Sequence, residues 1–160
     1  LRPFCERLAI AGSIRRRKET VKDVEILAIP KVAAVDLFGT PIGDALSVYL
    51  RGALDRNMWA LRKSKAGYTA FGPENKLLTY SGFPVDVFTT TPANWGMALL
   101  VRTGPMAFNV RVMSRFRDLK MRGHAYGGVD DAKGKAIDCP DEETVFRLLG
   151  WEWIPPEERR

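Results

Sequence analysis

The sequence predicts an α+β fold, with a mixed β-sheet flanked by helices and a smaller helix-containing subdomain after it. Apolar runs at residues 24–29 and 83–88 have the length and β-branched content of buried strands. Residues 106–121 instead carry apolar side chains every three or four positions, which is helical spacing. The Thr-Thr-Thr-Pro-Ala-Asn segment at 89–94 separates the two patterns. We therefore predict one domain over 1–94 and a second over 95–160.

Local signals predict the remaining elements in chain order. Phe4 and Leu8 are four residues apart, which predicts that residues 2–9 form the end of a helix. A Gly-Thr-Pro start signal followed by helical spacing predicts a helix over 41–54, and extended segments are predicted at 59–71 and 76–80. Three acids after Pro140 and a glycine at position 150 delimit a last helix.

Composition sets the broad class of the protein. A chain of 160 residues with 46% apolar residues can build one domain or two packed subdomains. No apolar stretch approaches the roughly 20 residues that span a bilayer, and the charged N-terminal segment does not fit a signal peptide, so we expect no membrane partner. Cys5 and Cys139 have no neighbours at metal-ligand spacing, which favours free thiols in the cytoplasm. The net charge of +6 favours a polyanionic partner without identifying one.

Three acidic residues interrupt the apolar strands. Asp23 and Glu25 are two apart, so on a strand both face one side while Val24 and Ile26 face the other. Two carboxylates this close together repel each other, and a bound cation relieves the repulsion. Mg²⁺ is a suitable cation because it prefers oxygen ligands. An exposed edge strand is the alternative, but the apolar neighbours disfavour it. If the strand containing Asp86 lies beside the first, the three carboxylates can hold two Mg²⁺ ions, as nucleotidyl transfer requires.

A small turn precedes these acids. Gly12 allows close backbone approach, Ser13 offers a hydroxyl and an amide, and the arginines at 15–17 offer guanidinium groups to phosphate oxygens. A Gly-Ser pair alone is most often an ordinary turn. Its position eleven residues before Asp23 and thirteen before Glu25 is what favours phosphate binding.

These motifs together resemble a known family. Gly12-Ser13-x-x-Arg16, Asp23-x-Glu25 and Asp86 resemble the DNA polymerase β superfamily of nucleotidyltransferases. The segment 102–109 is similar to the family X polymerase segment aromatic-Thr-Gly-Ser-x-x-x-Asn, and residues 145–159 are similar to the C-terminus of those polymerases. The resemblance covers nearly the whole chain. No segment before Leu1 corresponds to a lyase domain or a DNA clamp, so we expect a catalytic palm and a C-terminal nucleotide-selecting, thumb-like subdomain alone.

The resemblance implies a role for each matching residue. The metal ligands for two Mg²⁺ or Mn²⁺ ions would be Asp23, Glu25 and Asp86, and Asp86 would assist deprotonation of the primer 3′-hydroxyl. The nucleotide would be bound by Gly12, Ser13 and Arg16 at its phosphates, by Thr103 and Gly104 at its sugar, and by Asn109 at its base.

Three departures from the family pattern have consequences. Glu25 replaces the usual Asp and keeps the ligand type. Val101-Arg102 replaces the usual aromatic pair at the sugar, which leaves the choice between deoxyribose and ribose open. Pro105 replaces Ser where the family commonly has a cis peptide, and a cis bond costs only about 0.5–1 kcal/mol before proline. We therefore predict a cis Gly104–Pro105 bond.

The predicted function is a compact Mg²⁺-dependent DNA polymerase that adds deoxynucleotides from dNTPs to the 3′ end of a primer. Its DNA substrate would be a primer-template or gapped DNA, in repair or in replication. The predicted DNA contacts are Arg111, Arg115, Arg122, Lys63 and Lys65. We expect a monomer in the cytoplasm of a bacterial or phage-infected cell.

Three alternatives remain open. A nucleotidyltransferase acting on an RNA end or a protein hydroxyl shares the Gly-Ser and Asp-x-Glu pattern, and so does a template-independent terminal transferase. The third is a non-enzymatic DNA-binding module that retains the fold. The segment from Thr103 to Asn109 and the C-terminal similarity favour the polymerase.

Overall fold

The structure, a computed structural model, describes the backbone of residues 1–160 and every side chain except that of Pro41. Its helices are α1 (Gly12–Arg15), α2 (Ala45–Asp55), α3 (Trp95–Thr103), α4 (Met106–Asp118) and α5 (Glu142–Leu149). Its strands are β1 (Cys5–Ile10), β2 (Val24–Pro30), β3 (Val32–Val35), β4 (Pro41–Asp44), β5 (Ala60–Leu61), β6 (Asn75–Tyr80), β7 (Phe83–Thr89), β8 (Arg122–His124), β9 (Gly128–Asp130) and β10 (Ala136–Ile137).

The described chain divides into two compact units, and each unit consists of two separate segments of the chain. The first unit comprises Leu1–Ala9 and Lys22–Thr89, and the second comprises Ile10–Val21 and Thr90–Arg160. Residues 10–21 therefore pack with the C-terminal part of the chain. The assignment of 1–94 to a palm and 95–160 to a nucleotide-selecting subdomain stays a prediction.

The first unit is built on a mixed sheet with the strand order β1-β2-β7-β6-β5. Strand β2 runs parallel to β7, whereas β6 runs antiparallel to β7. Val85 and Val87 of β7 pack with Leu46 and Leu50 of α2 in a common core. This arrangement confirms the predicted α+β class and the predicted strands at 24–29 and 83–88.

Three elements of the first unit differ from the prediction. The segment predicted to be extended over 59–71 forms only the two-residue strand β5 and isolated bridges at Lys63, Thr69 and Phe71. Residues 2–4 form a 3₁₀ turn and residues 5–10 form β1, where the end of a helix was predicted. The spacing of Phe4 and Leu8 mimics a helix, but Phe4 stacks on Tyr49 at 4.2 Å and β1 pairs within the sheet. The helix predicted over 41–54 begins only at Ala45, because Asp44 caps it by accepting a hydrogen bond from the Ser47 amide at 2.6 Å.

The second unit packs helices α3, α4 and α5 around its own core. Phe108, Val112 and Phe116 project from α4, and Val145 and Phe146 project from α5, all fully or almost fully buried. A small antiparallel sheet, β10-β9-β8, lies in the same unit. The predicted helical pattern of 106–121 is thus confirmed for α4, although the helix ends at Asp118.

Two local predictions for the second unit are confirmed. The Gly104–Pro105 peptide bond is cis. Helix α5 begins after Asp141, which accepts a hydrogen bond from the Thr144 amide at 2.7 Å, and ends at Gly150 in the left-handed conformation. Across the described residues, no helix combines the length and apolar character needed to cross a bilayer.

Candidate active site

A row of side chains crosses the sheet of the first unit on the face opposite α2. Val24 and Ile26 pack toward the core that contains α2, so the intervening Glu25 faces the other way. Glu25 pairs in register with Asp86 of β7, and Asp86 pairs with Leu77 of β6. Residues paired across neighbouring strands share a face. The two strands thus carry Glu25 and Asp86 side by side, as the sequence predicts for adjacent strands.

Arg62 continues this row on the far side of β6. Leu61 pairs with Leu78, and the Arg62 amide donates a hydrogen bond to the Leu77 carbonyl, so Arg62 lies opposite Leu77. The Arg62 guanidinium donates a hydrogen bond to Oδ1 of Asp86 and forms an ion pair with it. The two side chains are mostly buried, at 25% and 15% exposure. Asp86 therefore has a cationic partner within the protein.

Asp23 lies immediately before β2 and lines the same cleft as Asp86. The cleft has a volume of about 370 Å³, and Arg62, Lys65, Tyr68 and Asn75 also contribute to its walls. The first unit thus brings Asp23 and Asp86 to one cleft, and Glu25 to the strand position beside Asp86. A carboxylate donor set of this kind fits a hard cation such as Mg²⁺.

The carboxylates are not gathered as tightly as a bound ion would hold them. Within the described ranges, no three acidic, histidine or cysteine side chains are close enough together to hold a metal ion. The Arg62 guanidinium instead takes the cationic place next to Asp86. Sequence reasoning missed Arg62, because its contact with Asp86 joins residues 24 positions apart and depends on the pairing of β5, β6 and β7.

The Gly-Ser turn belongs to the second unit. Gly12 is buried and has a φ of +60°, a conformation that favours glycine. The Ser13 hydroxyl is buried without a hydrogen-bond partner among the described residues. Arg16 donates a hydrogen bond to the carbonyl oxygen of Thr103. A buried hydroxyl without a partner, three residues before an arginine, fits an anion-binding turn.

The segment predicted to contact the sugar and the base also lies in the second unit. Gly104 ends α3 with a φ of +62°, and a Cβ atom there would approach the Arg16 guanidinium to 3.3 Å. The Asn109 side-chain amide donates a hydrogen bond to the Val101 carbonyl at 2.8 Å, and its Oδ1 is buried without a partner among the described residues. Asn109 is thus held in place by its amide group, and its Oδ1 acceptor is unpaired.

A buried ionic cluster contacts this segment at Thr103. Glu142 accepts two hydrogen bonds from Arg15, at 2.7 and 2.8 Å, and two from Arg159, at 2.8 and 2.9 Å. Arg15 also donates to the Thr103 hydroxyl at 2.7 Å. Burial works to raise the pKa of Glu142, but the hydrogen bonds and charges of the two arginines outweigh it, and the pKa lies below its ordinary value. Arg15 is therefore committed to Glu142 rather than available to a phosphate.

The predicted DNA-binding residues fall into two groups. Lys63, Lys65 and Arg122 are exposed. Arg115 is partly buried and its Nε donates to the Leu149 carbonyl at 3.0 Å, and Arg111 donates to the Arg160 carbonyl oxygen at 3.2 Å. Their role as DNA contacts stays a prediction, but Arg111 and Arg115 also hold the C-terminal segment.

Two comparisons with known proteins bear on this arrangement. Residues 98–160 match the family described as DNA polymerase beta thumb. The chain is also 26% identical over 167 residues to DNA polymerase lambda of Rattus norvegicus, in an alignment that covers 92% of this chain and 28% of that protein. The chain therefore spans little more than a quarter of that relative's length. These similarities confirm the resemblance to family X polymerases and agree with the α+β fold.

Proposed function

We propose that this family X polymerase-like chain is a Mg²⁺-dependent nucleotidyltransferase that adds deoxynucleotides to the 3′ end of a DNA primer. The observation that carries the proposal is the pairing of Glu25 with Asp86 on parallel strands, with Asp23 in the same cleft as Asp86. The similarity to DNA polymerases over 92% of the chain supports the choice of DNA and dNTP as substrates. The net charge of +6 favours a polyanionic strand.

In this proposal Asp23, Glu25 and Asp86 of the first unit would hold two Mg²⁺ ions. The ions, when bound, supply the charge that favours ionisation of the attacking 3′-hydroxyl and stabilises the leaving pyrophosphate. Asp86 accepts the proton of the 3′-hydroxyl or orients that hydroxyl. The Asp86 side chain is mostly buried, at 15% exposure. Its charge therefore interacts more strongly with nearby charges than it would in water. Glu25, on β2, and Asp23, immediately before β2, complete the ligand set.

The second unit supplies the nucleotide contacts in this proposal. The Ser13 hydroxyl and the Arg16 guanidinium bind the triphosphate, since the hydroxyl is buried without a partner and the guanidinium is a natural phosphate ligand. The free Oδ1 of Asn109 accepts a hydrogen bond from the incoming base. Thr103 and Gly104 shape the sugar position, and Thr103 is held by Arg15 at its hydroxyl and by Arg16 at its carbonyl oxygen.

The decisive experiment is primer extension on gapped DNA with labelled dNTPs and Mg²⁺. We expect Asp86→Asn to lower kcat by about a thousandfold or more, because the variant removes a metal-binding charge without changing side-chain size. Asp55→Asn, an exposed aspartate at the end of α2, is the matched control and should retain wild-type activity. Extension by Asp86→Asn at the wild-type rate would refute the catalytic assignment.

The same assay separates the alternatives. A blunt DNA end without template tests terminal transfer, and a primed RNA tests an RNA acceptor. Label that appears on the protein instead of on DNA would indicate a protein hydroxyl as acceptor. Tight binding of gapped DNA with no extension under any metal would indicate a non-enzymatic module.

A further inference from the structure

The Arg62–Asp86 pair extends the carboxylate row on the side of β7 away from Glu25, because Arg62 reaches Asp86 from the end of the edge strand β5. Arg62 reaches Asp86 across Leu77, a span of two strand spacings or about 10 Å, so the contact requires an extended arginine. The Nε of Arg62 is buried without a hydrogen-bond partner among the described residues. The guanidinium therefore neutralises Asp86 while one of its own donors stays unsatisfied.

We propose that Arg62 is a positioning residue that acts as a resident counter-cation for Asp86 and competes with the divalent ion for that carboxylate. This inference rests on the proposed function, because it assumes that Asp86 is a metal ligand. Without an ion, the pair keeps two neighbouring carboxylates, Glu25 and Asp86, from destabilising the sheet by repulsion. When an ion binds, Arg62 leaves Asp86.

Electrostatics sets the direction of the effect. A unit positive charge in contact with a carboxylate opposes the approach of a second cation, and the opposition is stronger at a mostly buried site than in water. Lys65 lines the same cleft and carries the same charge, but no ion pair joins it to Asp86 in the described structure. Arg62 therefore acts through its direct pairing with Asp86, whereas Lys65 adds only to the general positive charge of the cleft.

The test measures Mn²⁺ binding to the full chain by calorimetry, in the absence of DNA and nucleotide. We expect Arg62→Gln to lower the Kd for Mn²⁺ by about five- to tenfold, because the competing charge is gone. Arg62→Lys keeps the charge and should return the Kd to within about twofold of wild type. Lys65→Gln is the matched control and should change the Kd by less than about twofold.

Each outcome separates this inference from the function on which it rests. If wild type binds Mn²⁺, Asp86→Asn does not, and Arg62→Gln binds no tighter than wild type, the inference is overturned while the metal site stands. If neither wild type nor Arg62→Gln binds Mn²⁺ in a way that depends on Asp86, the proposed function fails together with this inference.

A circular dichroism spectrum confirms that Arg62→Gln is folded. Should it unfold, Arg62→Ala measured beside Arg62→Lys repeats the comparison: a lower Kd for Arg62→Ala supports competition, and an equal Kd overturns it.

Discussion

Glu142 shows how a single buried carboxylate ties together distant parts of the second unit. Its two oxygens receive four hydrogen bonds, from Arg15 at one end of the chain and Arg159 at the other. Arg159 has a fully buried side chain and also donates to the Ile154 carbonyl at 3.0 Å. Removal of the central charge would leave two arginines without their counter-ion, which is more costly than loss of a surface pair.

Replacement of Glu142 by Gln is expected to lower the free energy of unfolding by about 3 kcal/mol, a cost typical of breaking a buried ion pair. The Glu143→Gln variant is the control, because Glu143 is exposed on the same helix. Thermal denaturation followed by circular dichroism measures both. Equal melting temperatures for the two variants would contradict the role of the cluster.

The pKa of Glu142 also predicts a pH dependence of stability. Since the folded-state pKa is lower than its ordinary value of 4.5, the folded protein releases this proton more readily than the unfolded chain does. The stabilisation is therefore present above about pH 4.5 and is lost as the pH falls through the folded-state pKa. Denaturation midpoints measured from pH 7 down to pH 3 should fall more steeply for wild type than for Glu142→Gln.

At the scale of elements, α3 and α5 meet at a glycine. Gly96 lies in the first turn of α3, and its amide donates a hydrogen bond to the Cys139 carbonyl at 2.7 Å. A Cβ atom at this position would come within 1.9 Å of the Asp141 carbonyl oxygen, which is backbone and cannot turn aside. The close approach of the two helix starts therefore depends on the absence of a side chain.

We expect Gly96→Ala to destabilise the protein by at least about 2 kcal/mol, because the backbone of α5 must shift to admit the methyl group. Gly128→Ala provides the comparison, since a Cβ there would meet nothing closer than the Asn94 side chain at 3.5 Å. Urea denaturation of both variants gives the difference. A Gly96→Ala variant as stable as Gly128→Ala would show that α3 and α5 are not in contact as described.

Local sequence signals predict those elements whose pattern is complete within a few residues. The strands around Glu25 and Asp86, helix α4 and the capped helix α5 are of this kind. The hairpin of β3 and β4 was not predicted, because its exposed apolar residues follow no alternation. The pairing of Arg62 with Asp86 and of Arg15 with Glu142 could not be predicted, since partners 24 and 127 residues apart meet only through tertiary packing.

At the scale of the whole molecule, the net charge of +6 would attract a nucleic-acid partner. Each phosphate neutralised by a lysine or arginine releases counter-ions, so binding weakens as salt rises. Exposed cations such as Lys63 and Lys65 are available for this, whereas Arg115 already donates to the Leu149 carbonyl.

The salt dependence of binding to gapped DNA should separate these groups. We expect Lys65→Gln to reduce the slope of log K against log salt by about one, as loss of one phosphate contact does. Arg115→Gln should leave the slope nearly unchanged and instead lower the melting temperature. Fluorescence anisotropy at several salt concentrations measures the slopes. A full unit of slope lost in Arg115→Gln would favour the DNA contact that the sequence predicts for this residue.

The discontinuous second unit has an evolutionary consequence. The segment that matches the polymerase thumb begins at residue 98, yet the unit into which it packs also requires residues 10–21, including Arg15. A single genetic crossover near residue 90 would therefore combine a thumb from one ancestor with an Arg15 segment from another. Hybrid chains of this kind would keep Glu142 paired only if both ancestors had retained the same arginine, so the two stretches are expected to be inherited together.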